Sequence, residues 1–322
     1  MHKRRLGAVI RVVLTVVLLG VLITRVHVGS IVHHWDLTTV GWLLAALATT
    51  LTGITLASLR WQRVLSALDL PHRMSQLLST YLASLFISNF LPTTIGGDLL
   101  RVSRISSSNG ETPRTFASVV LERLTGWMVL PLITFAALAI NPTLLHLPDG
   151  DDAARVAVFV SIATLVLLAS VLWFAGHPRL GGRLASNAGW RRFTGAVHLG
   201  VARFREHPAL AAEVIVAGLA YQLAIVTAAF LTARALGLGV GWTAFMAFMP
   251  VVAIVQVLPF PTVGGLGLRE GALVLFLAPL GVSHSHAIAL GLMVYAINLT
   301  VSLLGAPAFA VGRRQNRTAP AA

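Results

Sequence analysis

Two octets in this sequence end in an arginine that could hold a phosphate. TIGGDLLR runs from Thr94 to Arg101 and TVGGLGLR from Thr262 to Arg269. They align without a gap, and five of the eight positions are identical: the Thr, both glycines, the Leu and the Arg. A guanidinium matches a phosphate with two parallel hydrogen bonds, and a helix N-terminus beside it adds amide donors. Arg101 and Arg269 are therefore candidate binding residues for an anionic headgroup, with interfacial snorkelling as the alternative role. Asp98, Glu122 and Glu270 are the acids nearest to them or deepest in apolar sequence. An ionisable group in an apolar span costs about 2.5–3.5 kcal/mol on insertion scales and is usually paired. Glu122 and Glu270 are expected either to orient the arginines, or to accept a cationic headgroup or a proton, or to neutralise charge inside a bundle. Asn89 is a further polar candidate, for substrate or for an inter-helix hydrogen bond.

The backbone around the octets is unusual. Pro92, Gly96 and Gly97 interrupt the apolar segment 77–105, and Pro259, Pro261, Gly264, Gly265 and Gly267 interrupt 243–279. Proline removes a donor and glycine loosens a helix. Broken backbone at membrane depth persists only when buried in protein or lining a wet cavity. Both segments are expected to be re-entrant helical hairpins, with the prolines at the tips. The glycines either break the helices or let them approach closely.

The rest of the chain must carry these hairpins. It is 56 % hydrophobic and 11 % charged over 322 residues, with a mean hydropathy of +0.82. A soluble domain is usually about 25 % charged, so this is an integral membrane protein with little room for a soluble domain. Six runs are long enough to cross a bilayer, which takes about 20 apolar residues: roughly 8–27, 40–59, 116–140, 155–175, 210–235 and 287–309. The expected architecture is all-α, with about six transmembrane helices plus two hairpins in one polytopic domain, 1–322. Lys3, Arg4 and Arg5 precede the first run without a signal-peptidase pattern after it, which predicts an uncleaved span.

The net charge of +13 sits between the apolar runs rather than on one polar domain, which argues against nucleic acid. With two hairpins, every Arg-rich loop, including 176–209 and the tail, falls on the side of the N-terminus, while Asp149, Asp151 and Asp152 fall on the other. Both termini are then cytoplasmic, and the plasma membrane is the expected site. The hairpins enter from opposite faces, the trace of an inverted repeat like those of many transporters. Within the basic loop, Phe193, Val197, Val201 and Phe204 recur at helical spacing beside Arg191, Arg192, Arg203 and Arg205. This fits an interfacial helix on an anionic leaflet or a plain basic loop. Trp35, Trp42, Trp61, Trp173 and Trp242 fall near span ends, where belt residues sit.

No cysteine is present, no His cluster has metal-ligand spacing, and no nucleophile elbow or phosphate-loop fingerprint occurs. No cofactor, metal or catalytic residue is expected. SNFLPTTIGGDLLRVSRI (88–105), LERLTG (121–126) and LPFPTVGGLGLREGAL (258–273) resemble the lysylphosphatidylglycerol synthase transmembrane (flippase-like) family over nearly the whole chain. The resemblance implies a lipid-translocating module. The sequence ends at Ala322, so the synthase domain of two-part members is expected to be missing and the chain not to be an enzyme. Transport of an anionic phospholipid or lipid-linked phosphate is the first expectation. The alternative is a non-transporting scaffold that docks a separately encoded lipid-modifying enzyme.

Overall fold

The computed structural model describes residues 36–90, 95–147, 151–177, 189–256 and 267–309, with backbone alone for 89, 90, 95, 151, 175, 176 and 189–192. The span read at 8–27, the basic tail, Pro92, Pro259, Pro261, Gly264, Gly265 and Trp35 lie outside this set, as does the Asn89 side chain. Among the described residues the regular structure is all helical, without a strand. In chain order the helices are α1 (Leu37–Ala67), α2 (Met74–Phe90), α3 (Ile95–Asn109), α4 (Thr112–Ile140), α5 (Asp151–Gly176), α6 (Gly189–Glu206), α7 (Pro208–Ala235), α8 (Trp242–Val255), α9 (Leu268–Leu277) and α10 (His284–Leu303). A short helical stretch, 305–309, follows α10.

Five of these, α1, α4, α5, α7 and α10, are long and apolar enough to cross a membrane. They coincide with the five runs read between 40 and 309. Four of the five begin where the sequence supplies a start. Asp36 accepts the Thr39 N–H at 2.7 Å and Ser283 the His286 N–H at 3.3 Å, while α4 and α7 open with a proline in the first turn. The hydroxyls within α1 do not spoil it as a span. Thr50, Thr52, Thr55 and Ser58 each donate to a carbonyl four residues back, so these four donors are satisfied inside the helix. On α5, Phe159, Ile162, Val166, Leu167, Trp173 and Phe174 point outward, an apolar surface suited to lipid rather than water.

The two interrupted segments are each a pair of packed helices, α2 with α3 and α8 with α9. Their lengths, between 10 and 17 residues, make them half-spans against a requirement of about 20. The structure also repeats. In the first four helices α1 packs on α2 and α4, α2 on α3, and α3 on α4; in the last four α7 packs on α8 and α10, α8 on α9, and α9 on α10. The broadest interhelical contact joins the leading helices of the two quartets, α1 and α7. Thr134 of α4 ties the halves together by donating to the Ala247 carbonyl of α8 at 3.0 Å.

Gly96 and Gly97 lie in the first turn of α3 and continue it rather than breaking it. At Gly97 the reason is close approach. A Cβ there would stand 2.2 Å from Ser88 Oγ and 2.7 Å from the Ser84 carbonyl oxygen of α2. The hydroxyl could rotate away but the carbonyl could not, so Gly97→Ala must part the two helices. Overpacking of this kind costs about 1–3 kcal/mol. We expect thermal denaturation in detergent to show a clear loss for Gly97→Ala and none for Gly271→Ala, whose added Cβ meets nothing within 4 Å. Equal melting of the two variants would remove close packing as the reason for glycine at 97.

Candidate functional site

Two groups of buried charge sit in the bundle, one in each half. The first is built by α1, α3 and α4. Glu122 is 1 % exposed, and Arg60 and Arg101 are each 3 % exposed. One Glu122 oxygen accepts from Arg60 Nη2, and the other accepts from Arg101 Nη1 at 3.0 Å. Arg101 is not at the interface. Its guanidinium lies between the rings of Trp61 and Tyr81, 4.1 and 4.6 Å from their centroids, an arrangement that stabilises a cation taken out of water. Arg60 faces the ring of Tyr221 on α7 at 5.2 Å.

Small residues make this fit possible. Gly126, one turn after Glu122, lies so close to Arg60 that a Cβ there would be 2.7 Å from Nη1. Gly218 of α7 borders the same side chain, with a built Cβ 3.4 Å from Arg60 Cδ. Asp98, in the first turn of α3, accepts from Arg123 Nε at 2.6 Å and stands 3.7 Å from Arg101 Nη1. Two carboxylates thus meet three guanidiniums, and one positive charge is left over. Arg60 Nε and Nη1, with Arg101 Nε and Nη2, are buried without a hydrogen-bond partner among the described residues.

The second group lies at the start of α9. Gly267 caps this helix with φ 88°, a left-handed backbone that glycine adopts without a Cβ penalty. Glu270 turns back and accepts the Gly267 N–H at 2.6 Å. Its other oxygen accepts from Arg269 Nε at 3.1 Å and Nη2 at 2.6 Å. Neighbouring helical residues ordinarily diverge; here the acid folds over the helix end and the arginine follows it. Gly291 of α10 leaves the room, since a Cβ there would be 2.9 Å from Glu270 Oε1. Arg269 Cζ lies 5.4 Å from the ring of Tyr295.

A cavity of about 280 Å³ lies between the halves, walled by α2, α4, α7, α8, α9 and α10. Its polar wall includes Arg269, Tyr221, Tyr295, Gln222, Gln256 and Asn298, and the rest is mostly aliphatic. Arg269 is the charged side chain there, and no hydrogen bond from its Nη1 forms among the described residues. Tyr221 is shared: it lines the cavity and faces Arg60 of the first group. All three tyrosines of the chain, Tyr81, Tyr221 and Tyr295, lie over buried arginines.

Arg101, Arg269, Glu122 and Glu270 are thus all buried and paired, with each arginine beside the acid of its own half. Arg60, one residue beyond the run 40–59, belongs to the last turns of α1 and is the second arm of the Glu122 group. Trp61 is no belt residue; it is fully buried and donates its indole N–H to Ser118 Oγ at 3.0 Å. The tyrosines and glutamines were missed as well. Asn298 hydrogen-bonds within its own helix, to the Val294 carbonyl at 2.8 Å, rather than across helices. The basic stretch is a helix, α6, but its apolar face is taken by protein. Val197 is fully buried in a cluster with Leu121 and Leu124 of α4 and Leu168 of α5.

These features define an all-helical integral membrane protein with buried arginine–glutamate groups beside a cavity between two helix quartets. The family model for the lysylphosphatidylglycerol synthase TM region matches residues 8–305. The chain belongs to that family. No curated protein matches the chain.

Proposed function

We propose that the protein moves an anionic phospholipid or a lipid-linked phosphate between the leaflets of the plasma membrane. The observation that carries this reading is Arg269, 6 % exposed overall yet lining a cavity enclosed by both halves. A guanidinium held there by Glu270 is preorganised for a phosphate oxygen, and its fork needs no further ordering to bind. The cavity is near the lower end of small-molecule sites, about 300–1,000 Å³, so it suits a headgroup while the acyl chains stay in lipid. The leftover positive charge behind Tyr221 favours an anion in the same place. The repeated quartets supply two bodies able to rock about the α1–α7 contact, the arrangement by which repeat transporters alternate access. In this reading both termini are cytoplasmic, and the chain relocates lipid without altering it.

The test is leaflet exchange. Wild-type protein is reconstituted in phosphatidylcholine vesicles containing a trace of fluorescent phosphatidylglycerol, and a membrane-impermeant quencher reports the outer pool. The expected result is quenching of inner-leaflet label well above that of protein-free vesicles. Exchange no faster than in empty vesicles, across anionic lipids, would sink the reading.

A further inference from the structure

The cavity's polar wall has a composition that selects among headgroups. Its uncharged hydrogen-bonding groups are amides, phenols and hydroxyls: Gln222, Gln256 and Asn298 with Tyr221, Tyr295, Ser88 and Ser302. The side chains of Gln222, Gln256, Tyr221 and Tyr295 make no hydrogen bond among the described residues. Amides offer donors and acceptors together, which is what a hydroxyl needs, since it both donates and accepts. An ammonium needs acceptors and is best served by a carboxylate. Among the described residues, no Asp or Glu lines the cavity.

The two buried acids nearby are fully engaged, Glu122 by two arginines and Glu270 by Arg269 and the Gly267 N–H. The ring faces that could attract an ammonium also meet cations, Tyr221 at Arg60 and Tyr295 at Arg269. A cationic headgroup would therefore meet positive charge and neutral dipoles. A phosphate ester carrying hydroxyls would meet a guanidinium for the phosphate and amides for the hydroxyls.

We propose that the site takes a phosphate ester whose remaining headgroup is uncharged and hydroxylated, glycerol or a sugar, and rejects headgroups bearing an ammonium. The inference rests on the translocation reading of the same cavity, but it makes a separate claim. Binding measures it directly, by native mass spectrometry of the protein released from nanodiscs. The probes are phosphatidylglycerol, phosphatidylinositol, phosphatidylethanol, lysylphosphatidylglycerol and soluble glycerol 3-phosphate. Phosphatidylethanol keeps the single negative charge and lacks the hydroxyls.

Two net hydrogen bonds correspond to about tenfold in retention. Phosphatidylglycerol and phosphatidylinositol are expected to be retained about tenfold better than phosphatidylethanol or lysylphosphatidylglycerol. The double variant Gln222→Leu/Gln256→Leu is expected to bring phosphatidylglycerol down to the phosphatidylethanol level. Equal or better retention of the lysyl lipid overturns the proposal, as does a double variant with wild-type preference. Preference without leaflet exchange would defeat translocation and leave the headgroup assignment standing. Exchange with no preference would do the reverse. Glycerol 3-phosphate held as tightly as the lipid would keep the chemistry and assign it to a soluble ligand.

Discussion

Replacing Glu122 by glutamine is expected to destabilise the protein by at least about 3–5 kcal/mol, the range for removing one member of a buried ion pair. Glu122 is the single carboxylate shared by Arg60 and Arg101, and all three are at most 3 % exposed. Glutamine keeps one acceptor oxygen and turns an NH2 toward the second guanidinium, donor against donor. Four guanidinium nitrogens of this group already lack partners among the described residues, so the substitution adds a further unmet donor to a group that already carries several. The readout is thermal denaturation in detergent together with the folded fraction by size-exclusion chromatography. A second substitution separates charge from shape. Arg60→Met in the Glu122→Gln background removes one orphaned cation and leaves Arg101 with the amide oxygen and Asp98. Coupled sites are not additive, and the double variant is expected to recover part of the lost stability. A Glu122→Gln protein that melts with the wild type would show that the triad does not hold the first half together.

Much of this arrangement was legible in sequence, for identifiable reasons. A span is a statement about some twenty residues, so one misplaced side chain does not hide it. That is why 116–140 and 210–235 fall within α4 and α7. That 77–105 and 243–279 would each hold two short helices rather than one long one was legible because proline and glycine act on the backbone directly. Glu122 and Glu270 stood out because a charge within apolar sequence is costly wherever it lands. What escaped was pairing. Arg60 follows the run 40–59 by one residue, and only the continuation of α1 to Ala67 buries it. That it meets Glu122, 62 positions later, depends on Gly126 and Gly218 letting the guanidinium between α4 and α7. The stripe Phe193–Val197–Val201–Phe204 announced an apolar face correctly. Periodicity cannot distinguish lipid from protein as its partner, and here Gly200 brings α6 against Leu121, whose Cδ2 would stand 2.1 Å from an added Cβ.

Arg269→Ala is expected to abolish leaflet exchange, lowering it at least tenfold to the level of empty vesicles. Taken alone, that result would be ambiguous. Removing Arg269 also leaves Glu270, 1 % exposed, as a buried anion held by the Gly267 N–H, and an orphaned buried charge is itself strongly destabilising. Two further variants separate the causes. In Arg269→Ala/Glu270→Gln no unpaired charge remains, and the glutamine oxygen still accepts the Gly267 N–H. This protein is expected to melt closer to the wild type than the single variant, yet to remain inactive in exchange. In Arg269→Lys the charge that neutralises Glu270 is retained, while the planar fork that reaches the acid and a phosphate together is lost. We expect near-normal melting and an intermediate exchange rate. If the double variant regains exchange along with stability, Arg269 serves the fold and not the phosphate. The cavity would then have lost the one charged side chain that lines it among the described residues without losing its function, and its binding group would have to be sought at Arg60, behind Tyr221.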